Sequence, residues 1–265
     1  MTSDTPHILV TNDDGIRAPG LLALKNACAR LGDVTVLAPS HNWSASGHVK
    51  TMHKPLRVEE MRLTDDSPAL STSGAPSDAV ALALLGVISK PIDLVVSGVN
   101  RGANLGHDVT YSGTVTAAME ASISGVPAVA VSLNSRDYDS FTVAAAVGAR
   151  IAEEVLERGL PKHVLLNVNV PAVPAHRLAG VKVTRMGLRI YRDELTRRLD
   201  PRGEPYYWIG GPEPTGVEEE GTDIWAVANN YISITPIQLD LTAYSFMESL
   251  KRWSLEEWDL EQWAK

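Results

Sequence analysis

Two stretches of the chain hold residue types that can do more than pack. The first is "NDDG", Asn12 to Gly15, where Asp13 and Asp14 stand side by side after the apolar run "ILV". The second is "GVNRGANLGHDVTYSGT", Gly98 to Thr114, rich in glycine, amide and hydroxyl, which leads straight into "VTAAME". Adjacent carboxylates repel each other, and a divalent cation removes that repulsion. Carboxylate, amide and hydroxyl oxygens are hard donors that suit Mg²⁺, Mn²⁺ or Ca²⁺, whereas zinc would want Cys and His. Asp-Gly is equally a favoured turn pair, so by itself the tetrapeptide reads as a turn at least as well. Ser112, Gly113 and Thr114 fall where a helix should begin. Free backbone N–H groups and the positive end of the helix dipole make an anion site there, although the same residues also serve as an ordinary N-cap. The glycine spacing matches neither the Walker A loop nor the dinucleotide fingerprint. A cation site beside an anion site points to phosphate-ester chemistry, with the ion polarising a phosphoryl oxygen and helix donors stabilising developing charge.

The elements that must position these groups follow from periodicity. Short apolar runs predict strands at His7–Thr11, Val34–Ala38, Asp93–Ser97, Ala128–Ser132 and His163–Val170. Between them, helical spacing and stop signals predict helices at Pro19–Leu31, after Pro76 as far as Gly86, at Thr114–Ser124 and at Phe141–Arg158. Strands that are apolar throughout are covered on both faces, so the alternation implies a parallel, doubly wound α/β sheet. In such a sheet ligands bind beyond the carboxyl ends of the strands. Three strand ends carry the polar groups: "NDDG", "PSHNWSASGH" (Pro39–His48) and the Gly98–Thr114 stretch. That company favours the cation reading of Asp13 and Asp14 over the turn alone.

From Pro171 the composition turns to clustered prolines and a polar, aromatic stretch at Arg192–Gly211. A strand "YISITPIQLDLT" (Tyr231–Thr242) and a helical tail from Ala243 follow. Ser254 and Glu257 have capping-box spacing, which predicts a short helix starting near Leu255. Trp253, Trp258 and Trp263 give the tail more aromatic surface than solvation needs, so it packs on its own subunit or on another. Cys28 shares helical spacing with Leu21, Leu24 and Leu31 and is read as a buried structural thiol.

The net charge of −8 argues against a nonspecific binder of nucleic-acid polymers or anionic membranes. Apolar runs are interrupted well before about 20 residues, so no transmembrane helix is expected. The N-terminus lacks a basic segment followed by an apolar one, which makes the cytoplasm the expected compartment.

"ILVTNDDGIRAPG", "GAPSDAV", "DLVVSGVNRGANLGHDVTYSGTVTAAMEA" and "SITPIQLDLT" together resemble the SurE family, from about His7 to Phe246. The resemblance implies a metal-dependent phosphatase that hydrolyses nucleoside 5′-monophosphates, with 3′-monophosphates and short polyphosphate as further candidates. It implies one divalent ion per subunit, Mg²⁺ or Mn²⁺, held by Asp13, Asp14, Ser44 and Asn100. It places the phosphate loop on Ser112, Gly113 and Thr114. Asn100 also stands close enough in its loop to touch phosphate, and Asp13, Asp14 and Asn100 are read as the catalytic residues. The implied fold is a Rossmann-like three-layer core with a mostly parallel sheet, an extended C-terminal arm and a helical tail. The corresponding divisions are a catalytic core at 1–170, an extension at 171–245 and a tail at 246–265. Arms exchanged between subunits imply a homodimer or homotetramer.

One departure stands out: Trp43 occupies the place before the loop serine where the family often has a basic residue. Arg101 is a substitute source of positive charge, and Trp43 is either a stacking surface for a base or packing. His48 and His107 are candidates for protonating the leaving alkoxide, and Asp78, in a helix first turn, reads as a structural charge. A rival route makes Asp14 a covalent nucleophile. A rival function is a non-catalytic nucleotide sensor.

Overall fold

The computed structural model describes residues 5–135, 137, 140–212 and 214–258. Strands β1 (His7–Thr11), β2 (Asp33–Pro39), β5 (Leu94–Arg101), β6 (Ala128–Asn134) and β7 (Val164–Pro171) run parallel in the centre of a nine-stranded sheet. Its full order is β3 (Val58–Arg62), β4 (Pro68–Thr72), β2, β1, β5, β6, β7, β13 (Tyr231–Gln238) and β8 (Gly180–Val183). Helices α1 (Pro19–Cys28) and α4 (Thr142–Arg158) cover one face, and α2 (Pro76–Leu82) and α3 (Gly113–Ile123) the other. The chain is therefore the three-layer α/β structure that the apolar strands imply. All five residues of β1 are buried, with Ile8 and Val10 in the core beneath α1 and α4 and Leu9 in the core beneath α2 and α3. Leu21, Leu24 and Cys28 line one face of α1 and are fully buried. Each such leucine contributes roughly 2 kcal/mol through the apolar area it removes from water.

Several boundaries differ from expectation. Helix α1 ends at Cys28 rather than Leu31, because Leu31 N–H turns back to the Cys28 carbonyl at 2.9 Å. The α2 segment stops being α-helical at Leu82 and widens into a single turn at Ala83–Val87. Strand β5 runs four residues past Ser97, so Gly98–Arg101, expected to be loop, is sheet with a register shift between Ser97 and Asn100. Strands β3 (Val58–Arg62) and β4 (Pro68–Thr72) extend the sheet beyond β2, where no apolar run marks a strand: "VEEMR" is mostly charged and mostly exposed.

Past β7 come β8 (Gly180–Val183), β9 (Arg189–Ile190), β10 (Glu194–Leu199), β11 (Pro205–Gly210), β12 (Thr215–Gly216), α5 (Asp223–Ala228), β13 (Tyr231–Gln238) and α6 (Tyr244–Lys251). Strand β13 lies inside the central sheet, antiparallel to β7 and parallel to β8. Strands β10 and β11 form a hairpin apart from that sheet, with every residue exposed. The predicted capping box at Ser254 does not form: Ser254 is left-handed (φ 51°) with no side-chain cap, and only a single 3₁₀ turn, Leu255–Glu257, follows. Trp253 packs edge-on to Phe246 with ring centroids 6.2 Å apart. Trp263 lies outside the described residues.

Candidate active site

The first site element is a turn that Asn12 builds. Its buried side chain accepts from Gly15 N–H at 3.2 Å and donates to the Gly15 carbonyl at 3.0 Å, closing "NDDG" on itself. The two acids then face different neighbours. Asp13 Oδ1 accepts the hydroxyl of Thr114, on the first turn of α3. Asp14 Oδ2 accepts the peptide N–H of Arg101, at the end of β5, at 3.1 Å. Residues Thr11 and Ser97 are register partners on β1 and β5, so "NDDG" and Asn100 leave the sheet at the same edge.

Asp13 is almost completely buried, and burial raises its carboxyl to about 6; the Thr114 hydroxyl pulls the other way and the neighbouring Asp14 adds to the rise. Holding it ionised without a counter-charge costs on the order of 3 kcal/mol. Asp14 is also raised, chiefly by burial, with the peptide and charge of Arg101 opposing. Gly113 is required here by close approach: a Cβ would stand 2.7 Å from the Asp13 Cβ.

Ser112 caps α3, its Oγ accepting from Val115 N–H at 3.1 Å. The first intrahelical bond runs from Thr116 N–H to the Ser112 carbonyl at 3.0 Å, so the N–H groups of Gly113 and Thr114 precede the helical ladder. The capping and anion-site readings of these residues thus coexist. The Thr114 hydroxyl is committed to Asp13, which leaves its backbone as the donor for an anion.

Ser44 lies on the exposed loop after β2. Both its N–H and its hydroxyl donate to Asn42 Oδ1 at 2.6 Å, and the Ser44 oxygen keeps its lone pairs as acceptors. The loop is tied to the acids by Trp43 N–H, which donates to the Asp13 carbonyl at 2.8 Å. Asn100 donates from Nδ2 to the Gly102 carbonyl at 2.8 Å, which keeps Oδ1 as an acceptor. A cleft of about 360 Å³ opens against Asp14, Asn42 and Arg101. The donor set of two carboxylates, an amide oxygen and a hydroxyl fits a hard divalent cation. Among the described residues no group of three or more His, Cys, Asp and Glu side chains is placed to hold a metal. A cation at Asp13 and Asp14 would therefore complete its shell from neutral oxygens.

The remaining candidates are placed less centrally. His48 Nε2 sits 3.1 Å from Glu120 Oε2, and Lys50 holds the other oxygen at 3.0 Å. These two partners hold Glu120 below the usual carboxylate range, His48 contributing most. Glu120 is six residues along α3 from Thr114, about 9 Å down the helix. His107 is exposed on the 3₁₀ turn Gly106–Thr110. Asp78 is buried and structural, binding Thr51 N–H and hydroxyl at 2.9 and 2.6 Å. The Arg101 guanidinium lies 5.2 Å over the Phe141 ring. Trp43 stacks on His41 with centroids 5.2 Å apart.

Sequence reasoning did not find Asp223. Its fully buried carboxylate accepts from Gly106 and Gly187 N–H at 2.8 and 2.7 Å, fastening the loop before α3 to the C-terminal region. The only sequence signal is Thr222-Asp223 before "IWAVA", a pattern indistinguishable from an ordinary helix start.

The family described as Survival protein SurE matches residues 8–193. The 5′-nucleotidase SurE of Herpetosiphon aurantiacus is 55% identical over 246 residues, spanning 92% of this chain and 96% of the relative. That of Chloroflexus aggregans is 53% identical, over 93% and 98% of the two chains. The crystal structure of the SurE protein from Aquifex aeolicus superposes with a TM-score of 0.79 at 42% identity, covering 94% of this chain and all of that one. With likeness in sequence and in fold over almost its whole length, this chain belongs to the SurE family.

Proposed function

We propose that this chain is a metal-dependent 5′-nucleotidase, hydrolysing nucleoside 5′-monophosphates to nucleoside and phosphate. The observation that carries the reading is Asp13, a buried carboxylate bonded to the first turn of α3 and flanked by a second acid. Membership of a family whose close relatives bear the name 5′-nucleotidase supports it. Nucleoside 3′-monophosphates and short polyphosphate are proposed as secondary substrates.

Asp13, Asp14, Ser44 and Asn100 would hold one Mg²⁺ or Mn²⁺ per subunit. When bound, such an ion supplies Lewis-acid polarisation and a more acidic water. The chain's own residues do the rest. The N–H groups of Gly113 and Thr114, with the Ser112 hydroxyl, bind phosphoryl oxygens at the α3 N-terminus. Asn100 steadies the phosphate from the β5 side. One of the two acids accepts a proton from the attacking water; Asp14, the less buried, is the better placed. His48 is engaged by Glu120, so His107 is the remaining histidine candidate for protonating the leaving alkoxide.

The exposed apolar residues of the β10–β11 hairpin, among them Trp208 and Ile209, support assembly into a homodimer or homotetramer through the hairpin of the 171–245 extension, whose β13 completes the sheet of the catalytic core at 1–170, with a tail at 246–265. No helix among the described residues is long and apolar enough to cross a membrane. A lone, buried, unpaired cysteine fits the proposed cytoplasmic location.

The deciding experiment is phosphate release from a panel of nucleoside monophosphates with Mn²⁺ or Mg²⁺, with and without chelator. Release that needs the ion is expected. Absent or metal-independent release would overturn the proposal, and nucleotide binding without release would favour a sensor. With a phosphate ester chiral at phosphorus, direct water attack should invert the configuration; net retention would replace direct water attack with an acyl phosphate on Asp14.

A further inference from the structure

The turn that delivers the chain into α3 is gripped from outside by the root of the arm. Within the 3₁₀ turn Gly106–Thr110, the Asp108 carbonyl accepts from Tyr111 and Ser112 N–H at 3.0 and 3.1 Å, so its peptide fixes where α3 begins. The Asp108 side chain is held by two arm residues. Arg189 Nε donates to Oδ2 at 2.7 Å, and the Tyr191 hydroxyl donates to Oδ1. Arg189 is itself oriented by its bond to the Pro214 carbonyl at 3.1 Å. The Arg189–Asp108 pair is mostly shielded, at 16% and 19% side-chain exposure, so it escapes the screening that makes surface ion pairs weak.

The grip has a second point. Gly106 N–H and Gly187 N–H share the buried Asp223 carboxylate. Gly106 has φ +52°, and any Cβ there would collide with the Gly187 carbonyl, so backbone meets backbone. The same turn steadies the other side of the site, because the Tyr111 carbonyl accepts from Gly47 N–H, on the Ser44 loop, at 2.9 Å.

We propose that Arg189 and Tyr191 are positioning residues for phosphate binding, acting through Asp108 to set the turn that presents Ser112, Gly113 and Thr114. The inference rests on the proposed reading of that loop as the phosphate site. Neither residue touches the reacting atoms. Asp14 is held separately, by the Arg101 peptide, whereas Asp13 is tied to Thr114 on the gripped turn, so loosening the grip weakens phosphate recognition first and the cation less. The root of the hairpin is thereby wired to the phosphate end of the site.

The test uses the full chain with Arg189→Ala, Arg189→Lys, Tyr191→Phe and Asp108→Asn. For each, KM and kcat for a nucleoside monophosphate, the Ki of inorganic phosphate and the Mn²⁺ concentration for half-activation are measured. Arg189→Ala should raise KM and phosphate Ki together by about ten-fold, the scale set by a small displacement of a binding group. Tyr191→Phe should raise both by about three-fold, the worth of one hydrogen bond. Arg189→Lys should recover part of the loss, and half-activation by Mn²⁺ should move less than phosphate Ki in all of them. A lower melting temperature with unchanged phosphate Ki would overturn the proposal. If Arg189→Ala does not fold, unchanged Ki in both Tyr191→Phe and Asp108→Asn overturns it. Unchanged Ki in both Ser112→Ala, which removes the hydroxyl donor, and Thr114→Pro, which removes a backbone donor in the first turn of α3, would instead overturn the phosphate-loop reading beneath it.

Discussion

The carboxyl edge of the sheet and the β10–β11 hairpin reverse the ordinary partition of residues in opposite directions. At the edge, Asn12, Asp13, Ser112 and Thr114 are polar and buried. On the hairpin, Leu195, Leu199, Tyr206, Tyr207, Trp208 and Ile209 are apolar or aromatic and exposed. Burying polar groups is costly unless each finds a partner, and the edge supplies them: Asn12 to Gly15, Thr114 to Asp13, Ser112 to Val115. Exposing apolar groups costs as well, and the monomer supplies no relief for the hairpin. Most buried polar groups named at the edge have partners within the chain, whereas the hairpin's apolar side chains stand exposed. The edge should therefore respond to substitution in chemistry, and the hairpin in assembly.

The largest effect expected is at the acids. Asp13→Asn and Asp14→Asn should each cut turnover by about 10³-fold or more, the scale of removing a main electrostatic element. Circular dichroism should show the fold intact, since both side chains lie at the rim of the sheet and not in its apolar core. Retained turnover in either variant would remove that acid from the site. Next comes the hairpin. A double change, Trp208→Glu with Ile209→Glu, should shift the mass seen by light scattering to a smaller species while circular dichroism stays native. An unchanged mass would dissolve the contrast, because the hairpin would then be merely exposed. Third is Thr114→Val, which keeps shape and removes the hydroxyl from Asp13. Loss of such an outer partner should weaken Mn²⁺ affinity by about 10–100-fold, with Thr114→Ser restoring it. Equal affinity in the valine variant would detach α3 from the cation site.

How much of this is readable from sequence differs between the two regions for a physical reason. The central strands are apolar on both faces, a pattern that only a sheet covered on both sides accommodates well, so β1, β2, β5, β6 and β7 and the layering of the sheet follow from sequence. The polar cluster at their ends follows too, because "NDDG" and the Gly98–Thr114 stretch each continue a strand. The β3–β4 hairpin escapes the same logic, since a partly exposed strand such as "VEEMR" carries no apolar run. The register shift that keeps Gly98–Arg101 in the sheet depends on β6, a neighbour that glycine content does not reveal. Side-chain pairing is the least visible of all. Nothing in their local sequence says that His48 belongs to Glu120, 72 residues away, or that Arg189 belongs to Asp108. Long-range hydrogen bonds are set by how elements pack, so a histidine in a plausible loop can be drawn off by a carboxylate on a facing helix.

The smallest effect expected is a pH dependence, and it tests whether the edge truly meets the cost of its buried acid. Asp13 titrates near 6 in the folded chain against an ordinary 3.8, raised mainly by burial. The folded state therefore binds this proton more tightly than the unfolded state does. Without a cation, the contribution to stability is most favourable below about pH 4 and declines as pH rises toward about 6. A cation binds the ionised form and must displace the proton wherever pH lies below about 6. At pH 5, one unit under that value, the competition should weaken apparent Mn²⁺ affinity by about ten-fold relative to pH 7.5, read as the concentration giving half of the full thermal shift. Above pH 7 the affinity should level off as far as this group is concerned. Equal half-shift concentrations at pH 5 and 7.5 would mean that Asp13 is not the ligand that takes up the proton. The buried polar edge would then resemble a structural turn, and its difference from the hairpin would be one of packing only.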